Sequence, residues 1–169
     1  KGEHKNEPFL KLNPTGRVPA LKDGEFCLWE ANAILSFLAD AYSPAELVGA
    51  NPKERGLIQQ WMDWQNTDLG PALLAPWHLY YFQMLGTPVE PEAHRSAVER
   101  TRAPLTILDA HLKERSFILG ERLTLADIVV GESVDLSGFG QTPLEDFPEV
   151  VRWHESLKTR VPFQNTRWR

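Results

Sequence analysis

The start of this chain constrains its fold more than any other part, because it pairs a two-strand pattern with too little preceding sequence to supply the strands such a pattern needs. Val18-Pro19-Ala20-Leu21 and Phe26-Cys27-Leu28 read as strands joined by Lys22-Asp23-Gly24-Glu25, with Asp-Gly supplying the positive-φ positions of a tight turn. An isolated hairpin is marginal in water, so these strands need further strands or a helical partner. A helix follows at once: from Glu30, apolar Ala33, Ile34, Phe37, Leu38 and Ala41 recur at helical spacing, and the pattern ends near Tyr42-Ser43-Pro44. Its apolar face must pack on the hairpin. Only 17 residues precede Val18, whereas a strand, a helix and a parallel strand require roughly 30. An exposed hairpin edge and an exposed helix face are therefore expected in the chain as given.

Ser43 to Pro52, with its Pro, Gly and Asn content, reads as a linker, and everything after it reads as helix. Lys53 to about Leu85 carries Leu57, Ile58, Trp61, Met62, Trp64, Leu69, Leu73 and Leu74 at three- and four-residue intervals, and Gly70-Pro71 and Pro76 predict that it is kinked or divided. A second helix is expected from Glu92 to about Arg115, with Ala97, Leu105, Leu108 and Leu112 inward and a kink at Pro104. A third begins at Leu123-Thr124-Leu125-Ala126-Asp127 and buries Ile128, Val129 and Val134. A fourth, opened by Phe147-Pro148, runs through Val150, Val151, Trp153 and Leu157 and stops before Val161-Pro162. Thr124 and Asp127 form a capping-box variant, in which the hydroxyl accepts from the third helical N–H and the carboxylate reaches back to the N–H of Thr124. The sequence divides accordingly into residues 1–42, a linker over 43–52 and an all-helical part over 53–169.

Composition supplies exclusions. A net charge of −5 argues against nucleic acid or an anionic membrane surface as partner. One cysteine excludes an intramolecular disulfide and removes the Cys clusters of structural zinc. Cys27, between Phe26 and Leu28, reads as a buried apolar filler. His111 and His154 read as helix-surface residues, and the histidines show no metal spacing. No apolar run approaches the roughly 18 residues of a membrane span, and no signal-peptide pattern opens the chain, so a cytoplasmic setting is expected. The first residue is Lys1 rather than Met, which points to processing or to a longer reading frame.

The chemistry-bearing residues lie in the same first stretch, where Asn13-Pro14-Thr15-Gly16-Arg17-Val18-Pro19-Ala20-Leu21 is followed by Leu28-Trp29-Glu30-Ala31-Asn32-Ala33-Ile34-Leu35. Val18-Pro19 is a candidate cis peptide, since a tertiary amide lowers the trans preference to roughly 0.5–1 kcal/mol. Such a turn offers the N–H and C=O of Val18 to an extended peptide as if to another strand. Glu30 offers a carboxylate to an ammonium group. These residues resemble the second half of the thioredoxin-like domain of cytosolic glutathione S-transferases, in which NPxGxVPAL, a short hairpin and a (W/F)ESxAI helix occur in this order. Gly2-Glu3-His4-Lys5-Asn6-Glu7-Pro8-Phe9-Leu10 resembles the GEHKxxPF stretch of the phi and related bacterial classes, and the whole is phi- or theta-like. Phe117-Ile118-Leu119-Gly120-Glu121-Arg122 before Thr124 and Asp127 resembles the turn and (S/T)xxD box that open the buried core helix of that family.

The resemblance implies a mostly α fold: the hairpin and helix that close a thioredoxin-like α/β domain (residues 1–42), followed by the all-α C-terminal domain of the transferases. It implies conjugation of glutathione, the co-substrate, to small apolar electrophiles in detoxification, without a metal and as a homodimer. His4 and Lys5 would meet the glycyl carboxylate. Val18, flanked by Arg17 and Pro19, would pair with the cysteinyl main chain. Glu30 would hold the γ-glutamyl end, and the N–H of Ala31 at a helix start would receive its carboxylate. Trp77, His78, Tyr80, Tyr81 and Phe82 lie where the family walls its co-substrate pocket; Trp77, Tyr80 and Tyr81 are assigned to it, while helix core is the expected fate of any single one. Two departures stand out. Arg17 occupies a position where Gln or Lys is common, and Ala31 replaces a Ser whose hydroxyl would contribute a hydrogen bond worth on the order of 1.5–3 kcal/mol. The family's thiol-activating Ser, Tyr or Cys sits near the end of a strand that precedes this sequence, so no catalytic residue is assigned and weak activity is expected of the chain as given. Two alternatives remain at this point: a non-catalytic glutathione-transferase-like binding or scaffold domain, and a glutathione-dependent thiol reductase or peroxidase.

Overall fold

A computed structural model describes residues 2–43 and 47–166. A 3-10 turn (Glu3–Lys5) and a short helix α1 (Glu7–Leu10) lead into an antiparallel hairpin of β1 (Ala20–Asp23) and β2 (Phe26–Trp29), followed by α2 (Ala31–Tyr42). The register pairs Ala20 with Trp29 and Asp23 with Phe26, leaving Gly24-Glu25 as a two-residue loop. Gly24 alone takes a positive φ in this turn, at 58°. The expectation that Asp23 shares that role is corrected: Asp23 is the last strand residue, and a glycine first in the loop is the requirement of a type II′ turn. The sheet has two strands among the described residues, and Val18, Phe26, Trp29 and Tyr42 are exposed around it. Helix α2 packs on both strands and also on the later core helix. Ile34 and Ala39 of α2 are buried, Ala39 within the main core, while Ala33 and Ala41, expected on the inner face, are exposed.

The linker residues 44–46 lie outside the described residues. Beyond them, Asn51 caps α3 (Pro52–Trp64): its Oδ1 accepts the N–H groups of Lys53 and Glu54 at 3.0 and 3.1 Å. The long helix is divided, as Gly70-Pro71 foreshadows, by a π turn over Gln65–Leu69 before α4 (Gly70–Met84). Gly70 is required here, because a Cβ would stand 2.8 Å from the Gln65 carbonyl oxygen. Gln65 Nε2 then donates to the buried Ser133 Oγ at 2.8 Å, tying the π turn to the core helix.

The second expected helix is two, α5 (Pro91–Arg100) and α6 (Arg102–Leu112). The break falls at Thr101, one turn before Pro104, because Pro104 has no N–H for the Arg100 carbonyl and its ring crowds that oxygen. The core helix α7 (Leu125–Phe139) is buried on nearly every side, with α2, α3, α4 and α8 (Pro148–Lys158) packed around it. Helix α8 crosses at Gly131, where a Cβ would stand 2.7 Å from Leu157 Cδ1. The start of α8 is capped from α6, since Asp109 Oδ1 accepts the N–H groups of Glu149 and Val150 at 2.8 and 3.1 Å. A short α9 (Val161–Thr166), which helical spacing did not reveal, closes the described chain and inserts Phe163 into the core.

The capping box at Thr124 forms, and its carboxylate does more than cap. Asp127 Oδ2 accepts the N–H of Thr124 at 2.9 Å and its hydroxyl at 3.0 Å. Its other oxygen accepts the N–H of Ile118 at 2.7 Å and the indole N–H of Trp153 at 3.0 Å. One buried side chain thus joins the preceding turn, the start of α7 and the middle of α8. Burial raises its carboxyl above the usual aspartate range, against the pull of these donors.

Candidate functional site

The loop before the hairpin is built around Asn13, only 2% exposed. Its Oδ1 accepts the N–H of Thr15 at 3.0 Å and the Thr15 hydroxyl at 2.7 Å, while its Nδ2 donates to the carbonyl of Arg17 at 2.6 Å. Gly16, at φ 60°, lets the chain turn back against the first helices; a Cβ there would stand 3.2 Å from the His4 carbonyl oxygen and 3.1 Å from Leu10. Lys5 Nζ donates to the Gly16 carbonyl at 2.7 Å. Asn13 and Gly16 thus shape the loop that presents Val18, a role not read from the Asn-Pro-Thr-Gly string itself. The signal was available, since an Asn two residues before a Thr in a Pro/Gly-rich stretch is a side-chain-closed turn.

The Val18–Pro19 bond is cis. Val18 is 73% exposed, and its N–H and C=O have no intrachain hydrogen-bond partner among the described residues. A groove beside it is lined by Glu3, His4, Asn6, Phe9, Leu12 and Val18. His4 and Val18 are therefore brought together; Lys5 is engaged with the loop, and Arg17, Pro19, Glu30 and Ala31 do not line this groove. Glu30 stands just past β2 as the N-cap of α2, exposed, at φ 74° and ψ 122°. A non-glycine residue in that region is costly, and such residues concentrate at binding sites. Its carbonyl accepts the first helical bond, from Ile34 at 3.0 Å. No side chain caps α2, which leaves the first-turn N–H groups from Ala31 onward open to an anion.

On α4, Trp77 and Tyr81 stack with ring centroids 5.6 Å apart, and His78, Tyr81 and Phe82 continue the aromatic face. Trp77 and Tyr80 are half-buried, whereas His78, Tyr81 and Phe82 are exposed. Helix core, the expected fate of most of this cluster, is corrected: the buried stripe of this segment is Leu69, Leu73 and Pro76, which faces α7. Among the described residues no group of acidic, His and Cys side chains could hold a metal ion.

Residues 1–40 match the family model of the glutathione S-transferase N-terminal domain, and residues 73–160 that of the C-terminal domain. Human glutathione S-transferase theta-1 is 32% identical over 166 residues, which cover 95% of this chain and 69% of that protein. The chain belongs to the glutathione S-transferase family. Glutathione S-transferase F9 of Arabidopsis thaliana is 28% identical over 172 residues, covering 98% of this transferase and 80% of the relative. Among solved structures, a glutathione S-transferase-I bound with lactoylglutathione superposes with a TM-score of 0.86 at 27% identity, covering 96% of this chain and 79% of its own.

Four readings of single residues change within the transferase. His154 is 4% exposed rather than on the helix surface, because it shares the buried stripe of Val150, Trp153 and Leu157. His111 is half-buried, with its Nε2 2.8 Å from the Ile118 carbonyl oxygen and its ring 4.4 Å from Trp61. Cys27 is only partly buried, its sulfur 4.0 Å from the Glu25 carbonyl oxygen. Val151, expected inward, is 37% exposed.

Proposed function

We infer that this glutathione-conjugating transferase holds its co-substrate along the edge that runs from His4 through Val18 to the start of α2. The observation that carries this reading is the exposed, unpaired backbone of Val18 beside an uncapped helix N-terminus. An extended tripeptide pairs its cysteinyl N–H and C=O with Val18 as an added strand. Its γ-glutamyl carboxylate is received by the N–H of Ala31, its ammonium group by Glu30, and its glycyl carboxylate by the His4–Lys5 end, with Arg17 and Pro19 fixing the turn. In the reaction the cysteinyl thiol gives up its proton to solvent water. The sulfur pair then forms the new S–C bond, and the electrophile's leaving group departs with its bonding electrons. The aromatic face of Trp77, Tyr80 and Tyr81 suits a flat apolar electrophile.

We further propose the division into a thioredoxin-like glutathione-binding part over 1–42, a linker over 43–52 and an all-α domain over 53–169, and a homodimer working in the cytoplasm. Supporting the last point, no helix among the described residues is long and apolar enough to cross a membrane, and the charge balance is acidic. Calorimetric titration with glutathione tests the site. Glu30→Gln is expected to weaken binding about tenfold, and Ala31→Ser to tighten it about tenfold by restoring a hydroxyl donor. Unchanged dissociation constants in both variants would place glutathione elsewhere.

A further inference from the structure

A cavity of about 390 Å³ lies between α2 and α3, a size within the usual range for small-molecule sites. It shares no lining residue with the groove beside Val18. Both helices pack on α7, and one hydrogen bond ties them together at one end, where Asn32 Nδ2 donates to the Met62 carbonyl at 3.2 Å. Away from that tie the cavity opens. Asp40 and Arg55 line it eight residues further along α2 and seven residues back along α3, about 12 and 10 Å from the tie. Its floor is apolar: Ile58, Met62 and Leu125 are buried, and Phe37 stands half-buried at the side. Helical spacing aligns these groups, since 55, 58 and 62 share one stripe of α3 while 37 and 40 share one of α2.

Asp40 and Arg55 are the charged groups of this lining, of opposite sign, and they are not paired with each other. Among the described residues Asp40 has neither a cation nor a hydrogen-bond donor against its carboxylate, and Arg55 has no carboxylate against its guanidinium. Arg55 Nη1 donates to the Gly49 carbonyl at 3.3 Å, which steadies the side chain and leaves its other N–H groups open. The nearest carboxylates on α3 are committed elsewhere and do not line the cavity: Glu54 is paired with Arg122 and accepts the N–H of Ala50, and Asp63 accepts Gln59 Nε2 at 2.7 Å. An open carboxylate and an open guanidinium above one apolar floor select a ligand that carries both charges. A simple cation is repelled by Arg55 and a simple anion by Asp40, so either forgoes part of what the cleft offers.

We propose that this cleft is a second ligand site, distinct from the glutathione edge, for a small zwitterion with an apolar body, of which an α-amino acid with an aromatic side chain is the simplest. The open N–H groups of Arg55 receive its carboxylate, Asp40 receives its ammonium group, and the side chain packs on Phe37, Ile58 and Met62. An analogue stripped of either charge keeps the packing and loses one of the two partners.

The probes are phenylalanine, phenylalanine amide, which lacks the carboxylate, and N-acetylphenylalanine, which lacks the ammonium group, each titrated into the full chain with amide resonances followed by NMR. Phenylalanine is expected to saturate with a dissociation constant below about 10 mM, with shifts centred on residues 36–40 and 55–62, and each analogue to bind about fivefold more weakly or worse. Asp40→Asn should weaken phenylalanine about fivefold and leave N-acetylphenylalanine unchanged, whereas Arg55→Gln should weaken phenylalanine about fivefold and leave the amide unchanged. Both positions are exposed, so the urea midpoint and the glutathione titration should stay as they are in either variant. Equal binding of the three probes, shifts centred elsewhere, the absence of saturation by phenylalanine, or a substitution that weakens all three probes alike would each overturn the assignment. Because glutathione is titrated separately, failure here leaves the reading of the Val18 edge untouched.

Discussion

Replacing Asp127 by alanine tests the account of the core most directly. The carboxylate is fully buried and accepts from the N–H groups of Ile118, Thr124 and Trp153 and from the Thr124 hydroxyl. A helix cap alone is worth about 0.5–2 kcal/mol. Truncation here also strands three N–H donors, each costing about 1–3 kcal/mol when left unpaired in the interior. The Thr124 hydroxyl can rotate to a new acceptor, and one water in the vacated space can serve more than one donor, which places the expected loss at roughly 3–6 kcal/mol. Against a total stability of about 5–15 kcal/mol that is enough to bring the protein near unfolding. Asp127→Asn keeps one carbonyl oxygen and with it one of the two pairs of bonds, so it should lose roughly half as much. Urea unfolding followed by tryptophan fluorescence, with Trp153 as a local reporter, measures both. A loss below about 1 kcal/mol for Asp127→Ala, at an unchanged slope, would refute the view that this carboxylate joins three elements.

Further outcomes follow from other contacts. Because the Asp127 carboxyl is raised in the folded state, its protonation favours folding: its contribution is complete below the ordinary aspartate range and is lost as pH rises through the raised value. The stability gap between the parent and Asp127→Asn should therefore widen as pH falls from 7 towards 4, as urea midpoints across that range would show. Gly131→Ala should cost about 1–3 kcal/mol by pressing on Leu157, and markedly less when Leu157 is already alanine, as a double-mutant cycle would reveal. Asn13→Ala should weaken glutathione severalfold while leaving the urea midpoint of the helical part nearly unchanged, since the loss falls on the loop that presents Val18; calorimetry and unfolding of the same preparation separate the two effects.

The sequence carried the hairpin, α2 and most of the helices because period and breakers agreed there: Asp23-Gly24 marks a turn, and Ala97, Leu105, Leu108 and Leu112 are all fully buried as their spacing requires. It carried the break between α5 and α6 only approximately. Pro104 was visible, but its effect is felt one turn upstream, at the carbonyl it cannot bond. His154 was misread because a histidine suggests a surface, although its position with Val150, Trp153 and Leu157 completes a buried stripe. The aromatic run on α4 was misread in the opposite sense: its residues are apolar enough for a core, yet the stripe of Leu69, Leu73 and Pro76 had already filled the face towards α7. At the candidate site, the residue types were legible and their supports were not. Asn13 two residues before Thr15 marks a side-chain-closed turn, but nothing in that string reveals that the amide is buried beneath the loop, or that Glu30 is held at a positive φ.

That division of α4 into two faces bears on how the protein can change over generations. The stripe that meets α7 is committed to packing, so a substitution there threatens the whole molecule. Trp77, Tyr80 and Tyr81 lie off that stripe, on a rigid support, half-buried or exposed rather than in the core. New side chains can be tried at these positions at little cost to folding, one residue at a time, while the loop around Asn13 and the anchor at Asp127 stay as they are. On the proposed role of these side chains, a lineage built on this plan shifts its choice of electrophile far faster than it shifts its shape.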